Sequence, residues 1–196
     1  MPIERSHISL SWGTKMTTKR LHVVWITSFF IAGLASYDGF DIAKGTSIEI
    51  GFSPEGSAQS LILKVIHAAR YEIRIACYSF TSQPIVDALI EAKLRGVDIK
   101  IVIDSHADNL IQTRRAIRRI RQSGIRVRYN DVYKIQHDKI IIVDQSIVET
   151  GSYNYTESAA MENSENVIVI WRSPSTAKQY LEHWLIRWNQ ARRNQD

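Results

Sequence analysis

The 196 residues, 44% of them hydrophobic, suit one globular domain with a core of its own. The single cysteine excludes an internal disulfide, so that core has to hold the fold. The formal charge of +5 is no evidence for a polyanionic partner: residues 1–35 carry Arg5, Lys15, Lys19 and Arg20 against Glu4, which leaves 21 basic and 19 acidic residues, only +2, in the remainder.

The first segment is a leader. From Met16, "MTTKRLHVVWITSFFIAGLAS" has Lys19 and Arg20 as a basic start, a mostly apolar run over Leu21–Ala35 and small residues at Gly33 and Ala35. This is a secretory signal pattern with cleavage expected near Ala35. The run is short for a membrane span, which needs roughly 20 residues; an uncleaved anchor is the alternative. Translation is expected to start at Met16, with residues 1–15 as an upstream extension. The mature chain then begins near Ser36, has about 161 residues and is periplasmic or secreted. Residues 36–45 read as a linker and 46–196 as the domain.

Strands and helices then alternate. "SIEIGFSP" reads as a strand closed by Pro54. "GSAQSLILKVIHAAR" reads as a helix capped by Ser57, with Leu61, Ile62, Val65 and Ile66 on one face. "YEIRIACYSF" is a strand in which Cys77 is a buried small hydrophobe. "TSQPIVDALIEAKLRG" is a helix capped by Thr81 or Ser82, with Pro84 in its first turn and Gly96 at its end. "VDIKIVID" is a strand, "ADNLIQTRRAIRRIRQSG" a helix buried through Leu110, Ile117 and Ile120, and "IRVRYN" a strand. Three short strands follow, "KIIIVD", "SIVETGSYN" and "ENVIVIW". A last helix opens at Ser173-Pro174 and carries Leu181, Trp184, Leu185 and Trp188 as a core stripe. The order predicts an α/β fold: one domain after a signal peptide, with a mixed β-sheet sandwiched between helices.

The chemistry concentrates in "HDKIIIVDQSIVETGSYNYT". His137 and Lys139 lie two apart and share a strand face, whereas Asp138 points away. Asp144 follows, then Gly151-Ser152-x-Asn154, and Glu165 eleven residues beyond Asn154. A ring nitrogen of His137 can attack phosphorus and form a phosphohistidine. Lys139 can hold charge on the non-bridging oxygens, with Ser152 and Asn154 donating hydrogen bonds to them. Gly151 permits a close approach or an unusual backbone angle. Glu165 is expected to fix the His137 tautomer. Asp144 is counted with these residues, although strand parity puts it on the opposite face and gives it a structural role. No CxxC, HExxH or paired Cys/His spacing occurs, so no metal and no cofactor is expected.

This arrangement resembles the single-motif (HxKxxxxD) branch of the phospholipase D superfamily, specifically its small secreted, EDTA-resistant bacterial endonucleases. The resemblance covers the whole mature chain in length and element order, and it implies metal independence. A displacement through a covalent intermediate also needs an acid for the leaving oxygen. His67, His106 and His183 lack a lysine at the motif spacing. The resemblance implies a homodimer in which His137 of each subunit meets across a two-fold axis.

Arg114, Arg115, Arg118, Arg119, Arg121, Arg126 and Arg128 crowd a stretch without an acid between Asp108 and Asp131. They read either as a solvated face or as a track for phosphates of nucleic acid or lipid, with Arg114, Arg115 and Arg118 as the substrate-binding candidates and Lys134 as an extension. Tyr153 and Tyr155 either stack on a base or simply alternate into the core. His106 ends a strand and is given no role. The expected activity is non-specific cleavage of DNA, with RNA also open. A cardiolipin-type phospholipid hydrolase is the alternative, and it would show an apolar patch beside His137. A nucleic-acid-binding component of an envelope or DNA-transfer complex is the second alternative.

Overall fold

The computed structural model describes residues 45–109 and 111–191. The expected leader and cleavage point, most of the expected linker, Leu110 and residues 192–196 lie outside these. The described chain runs β1 (Ser47–Ser53), α1 (Ser57–Ala68), β2 (Glu72–Cys77), α2 (Gln83–Leu94) and β3 (Asp98–Asp104). After a 3-10 turn (Ser105–Asn109) come α3 (Ile111–Gln122), β4 (Arg126–Asn130), β5 (Lys139–Val143) and β6 (Ile147–Gly151). The chain closes with α4 (Glu157–Met161), β7 (Glu165–Trp171) and α5 (Pro174–Gln190).

The seven strands form one mixed sheet in the order β1-β7-β6-β5-β2-β3-β4. β2, β3 and β4 are parallel, joined by the crossovers through α2 and α3; every other pairing is antiparallel. β5 is buried at all five residues. Its Ile141 and Val143 join Ile75 and Cys77 in the core beneath α1, α2 and α3, and its Ile140 and Ile142 join Ala76, Val102 and Val148 beneath α5. Two buried faces explain why this strand reads as an unbroken apolar run.

α5 is seated by its tryptophans. Trp184 and Trp188 stack with ring centroids 5.1 Å apart, and Trp184 Nε1 donates to the Ile75 carbonyl at 2.8 Å. Leu181 packs only partly, and Leu185, expected in the stripe, is exposed, because the helix turns it past the edge of the covered strip. Other expectations are also corrected. Gly56, in a left-handed conformation, rather than Ser57, is the N-cap of α1; the Ser57 hydroxyl instead accepts from Phe52 N and donates to Phe52 O. Ser82 does precede α2, but without a side-chain capping bond. The segment after β3 begins as a 3-10 turn, and the short α4 was not expected.

Asp144 closes the far end of β5. Its Oδ2 accepts from Arg70 N at 2.9 Å, and its Oδ1 accepts from Tyr71 N and Glu72 N at 2.9 and 2.8 Å. One carboxylate thus collects three backbone donors and pins the start of β2 to the end of β5. Removing it strands those donors, so Asp144→Ala should lower stability by about 2–4 kcal/mol, read as a shifted urea midpoint at unchanged slope.

Candidate active site

The strand ends that carry the expected site residues meet at one edge of the sheet. Lys139 pairs with Cys77, Gly151 with Val167, and Ser53 with Glu165. Asp144 is at the other end of β5, roughly 16 Å away along the strand, and is removed from the catalytic set by this geometry.

His137 does not lie in the strand. It sits two residues ahead of β5, at the end of an irregular loop, with its imidazole exposed. The loop is held from within: Gln136 N donates to the buried Asp104 carboxylate at 2.6 Å, and Gln136 Nε2 donates to Val102 O at 3.3 Å. Tyr78 meets the His137 ring edge-on, centroids 5.3 Å apart. Among the described residues the imidazole makes no hydrogen bond.

Lys139 is 6% exposed, and its Nζ donates to the His137 carbonyl at 2.9 Å. That bond ties the ammonium to the backbone of His137 and leaves two N–H groups of the ammonium for other acceptors. Burial pulls its pKa below the ordinary lysine range, while the nearby Glu165 carboxylate opposes the shift.

Glu165 is not bonded to His137. Its Oε2 accepts the Ser152 hydroxyl at 2.5 Å and its Oε1 accepts Asn163 Nδ2 at 2.9 Å. Ser152 Oγ in turn accepts from Asn166 N at 3.1 Å. The adjacency of β6 and β7 brings serine and carboxylate together, so the Ser152 proton points at Glu165 and not at an incoming phosphate. Gly151 answers a close approach between strands: a Cβ there would lie 2.1 Å from Asn166 O. Asn154 keeps its amide Nδ2 without a partner among the described residues, between two inward-turned tyrosines.

The family model for "Cardiolipin synthase, PLD-like domain" matches residues 62–188. The chain belongs to the phospholipase D superfamily, a family of phosphodiester-hydrolysing enzymes. It is 38% identical to a phospholipase D of Rickettsia bellii over 69% of this chain and 66% of that protein, so the match spans about two thirds of that relative. It is 31% identical to the human mitochondrial cardiolipin hydrolase over 76% of this chain and 62% of that protein. Among solved structures, Nuc from Salmonella typhimurium, a phospholipase D family member, is 48% identical, with a TM-score of 0.75 over 77% of this chain and 99% of that one.

In this phospholipase D superfamily member the arginine stretch does not form one track. Arg119 pairs with Asp87 at 2.7 Å and Arg126 with Asp98 at 2.9 Å. Arg128 lies over the Trp188 ring at 4.1 Å, and Arg121 over Tyr129 at 5.2 Å. Arg114, Arg115 and Arg118 stand on the exposed side of α3. α3 packs against α2, β4 and the 3-10 turn, and β4 is three strands from β5, roughly 14 Å across the sheet. The structure does not bring these three to His137. Lys134 is exposed on the His137 loop itself.

Three features had little signal in the sequence. An open cleft of about 430 Å³ reaches His137 and Lys139 and is walled by α5 through Gln179, Tyr180 and His183; Ser152, Asn154 and Glu165 do not line it. His183 Nε2 lies 3.2 Å from Asp138 Oδ1, so the residue between His137 and Lys139 is tethered to α5. Glu149, wholly buried, accepts the Tyr155 hydroxyl at 2.7 Å. The Tyr155 carbonyl accepts from Thr81 N and Ser82 N, and Tyr153 is also fully buried, which removes both tyrosines as base-stacking candidates. Strand alternation hides the Glu149–Tyr155 pair; only the fold shows that the two meet.

Burial pushes the Glu149 carboxyl up to about 8, with the Tyr155 bond opposing. A carboxyl raised in the folded state favours folding fully below its unfolded pKa of about 4.5, and that contribution fades as pH climbs through about 8. Glu149→Gln keeps an acceptor for Tyr155 and cannot ionise. Its melting temperature should therefore fall less between pH 5 and pH 8 than that of the wild type, as followed by circular dichroism.

Proposed function

We propose that this chain is a metal-independent endonuclease with little sequence preference, acting on DNA and open to RNA, through a covalent phosphohistidine. The observation that carries the reading is the exposed His137 imidazole, without a hydrogen bond among the described residues, beside a cleft and two residues from a buried ammonium tied to the His137 carbonyl.

In the first half-reaction a His137 ring nitrogen bonds to phosphorus, the bond to the leaving oxygen breaks, and that oxygen takes a proton from an acid. In the second, water gives a proton back to the conjugate base of that acid and its oxygen attacks phosphorus, the N–P bond breaks, and the imidazole returns. Lys139 and Asn154 Nδ2 hold the non-bridging oxygens throughout. Glu165 acts on this picture by orienting Ser152 and by supporting the charge of Lys139.

The acid is the partner subunit's His137 in a homodimer. Support comes from the rim of the site. Val132 and Ile135, on the loop that delivers His137, are 56% and 52% exposed, and Phe52 and Met161 are exposed at the same end of the sheet. A second copy seated there would cover apolar surface and bring the two histidines together. Sedimentation velocity should report a dimer, and Ile135→Asp should shift it to monomer with loss of cleavage. A fully active monomer would remove the shared site.

A second reading, phospholipid hydrolysis, is favoured by the same apolar rim and by the names of the Rickettsia and human relatives. The deciding experiment is nicking of supercoiled plasmid in excess EDTA beside cardiolipin vesicles. The expected result is nicking by the wild type, a loss of more than about a thousandfold in His137→Ala, and a loss of roughly a hundredfold to a thousandfold in Lys139→Met. Cleavage of vesicles with intact plasmid would give the function to lipid instead.

A further inference from the structure

We propose that the cleft between α5 and the β5–β6 edge is a nucleoside subsite, taking the sugar and base on one side of the scissile phosphate. This rests on the nuclease reading above and names what lies beside its reaction centre.

The lining decides the class of occupant. His137 and Lys139 are among the lining residues, so an occupant of the cleft lies beside the phosphate that the nuclease reading gives them. The walls are Asp138, Ile140, Thr150, Gln179, Tyr180 and His183. Among the described residues no arginine and no lysine besides Lys139 lines the cleft, and the Asp138 carboxylate lies in its wall; a second phosphate would meet negative charge there. An acyl chain would strip water from a carboxylate, an imidazole, an amide and a hydroxyl without replacing those hydrogen bonds. A nucleoside suits both features. Its base is flat, uncharged and edged with donors and acceptors. Tyr180, half-buried from α5, offers a face for stacking. Gln179 and Thr150 offer amide and hydroxyl groups for the edges. The volume of about 430 Å³ is within the usual range for small-molecule clefts, roughly 300–1,000 Å³.

The Asp138–His183 contact sets this wall in place. At 3.2 Å it ties the Asp138 carboxylate to the His183 imidazole on α5. The same contact couples subsite and reaction centre, because Asp138 sits between His137 and Lys139 in the chain. A base seated on Tyr180 therefore bears on the segment that holds the nucleophile.

The test compares kcat/KM for thymidine 5′- and 3′-(4-nitrophenyl phosphate) with that for methyl 4-nitrophenyl phosphate, which has no nucleoside. Wild type, Tyr180→Leu and His183→Gln are assayed in EDTA, with 4-nitrophenyl phosphocholine as a headgroup control and thermal melts to confirm folding. Tyr180→Leu keeps apolar packing on α5 and removes the stacking face. The expected result is a wild-type preference for one thymidine ester that falls at least about fivefold in Tyr180→Leu, chiefly through KM. His183→Gln should lower the same preference. Folded variants with an unchanged preference would overturn the subsite. So would a loss confined to the phosphocholine ester, which would assign the cleft to a cationic headgroup. If the wild type nicks plasmid in EDTA while the preference is unmoved, the subsite alone fails. If it cuts neither plasmid nor nucleoside ester, the nuclease reading fails with it.

Discussion

β5 runs between β2 and β6 with every residue buried on one face or the other, and the geometry of the reaction edge depends on that confinement. A slip of one residue would turn Ile141 and Val143 out of the main core and carry Lys139 to the α5 side. The register with β2 forbids this by packing Ile141 against Ile75 and Lys139 against Cys77. Asp144 locks the far end with three backbone donors. An ammonium can thus be buried at the near end because the rest of the strand cannot move to release it.

The proposed nucleophile is treated differently. His137 lies outside the sheet, on a loop secured by Gln136 to Asp104 on one side and by Asp138 to His183 on the other. Its neighbours are tied down while its ring is left open. A group that must form and break a bond to phosphorus needs a fixed position and a free nitrogen, and anchoring through adjacent residues supplies both. A related division appears across the site, where Tyr153 and Tyr155 are sunk into the core and Asn154 between them is half-buried.

Charge is managed by partnership. Arg74, buried on the sheet, is met by Glu72 and Asp98, and much of the arginine stretch on α3 and β4 is taken up by acids and aromatic faces. A run that looks like a polyanion track in one dimension is largely a structural device in three, since β4 and α3 lie at the sheet edge away from His137.

The sequence by itself determined the element order, the mixed sheet and the motif residues. These follow from local properties: period-2 and helical spacing, Pro84 and Gly96 as punctuation, and fixed intervals among His137, Lys139, Asn154 and Glu165. It also placed Asp144 off the His137 face by parity alone. Only the tertiary structure decided that Glu165 meets Ser152 and not His137, that Tyr155 meets Glu149, and that His183 comes to Asp138 from 45 residues away. Each of those pairs depends on which strands are neighbours and on which face a helix covers. That information is held in the packing of the whole core, and no local spacing encodes it.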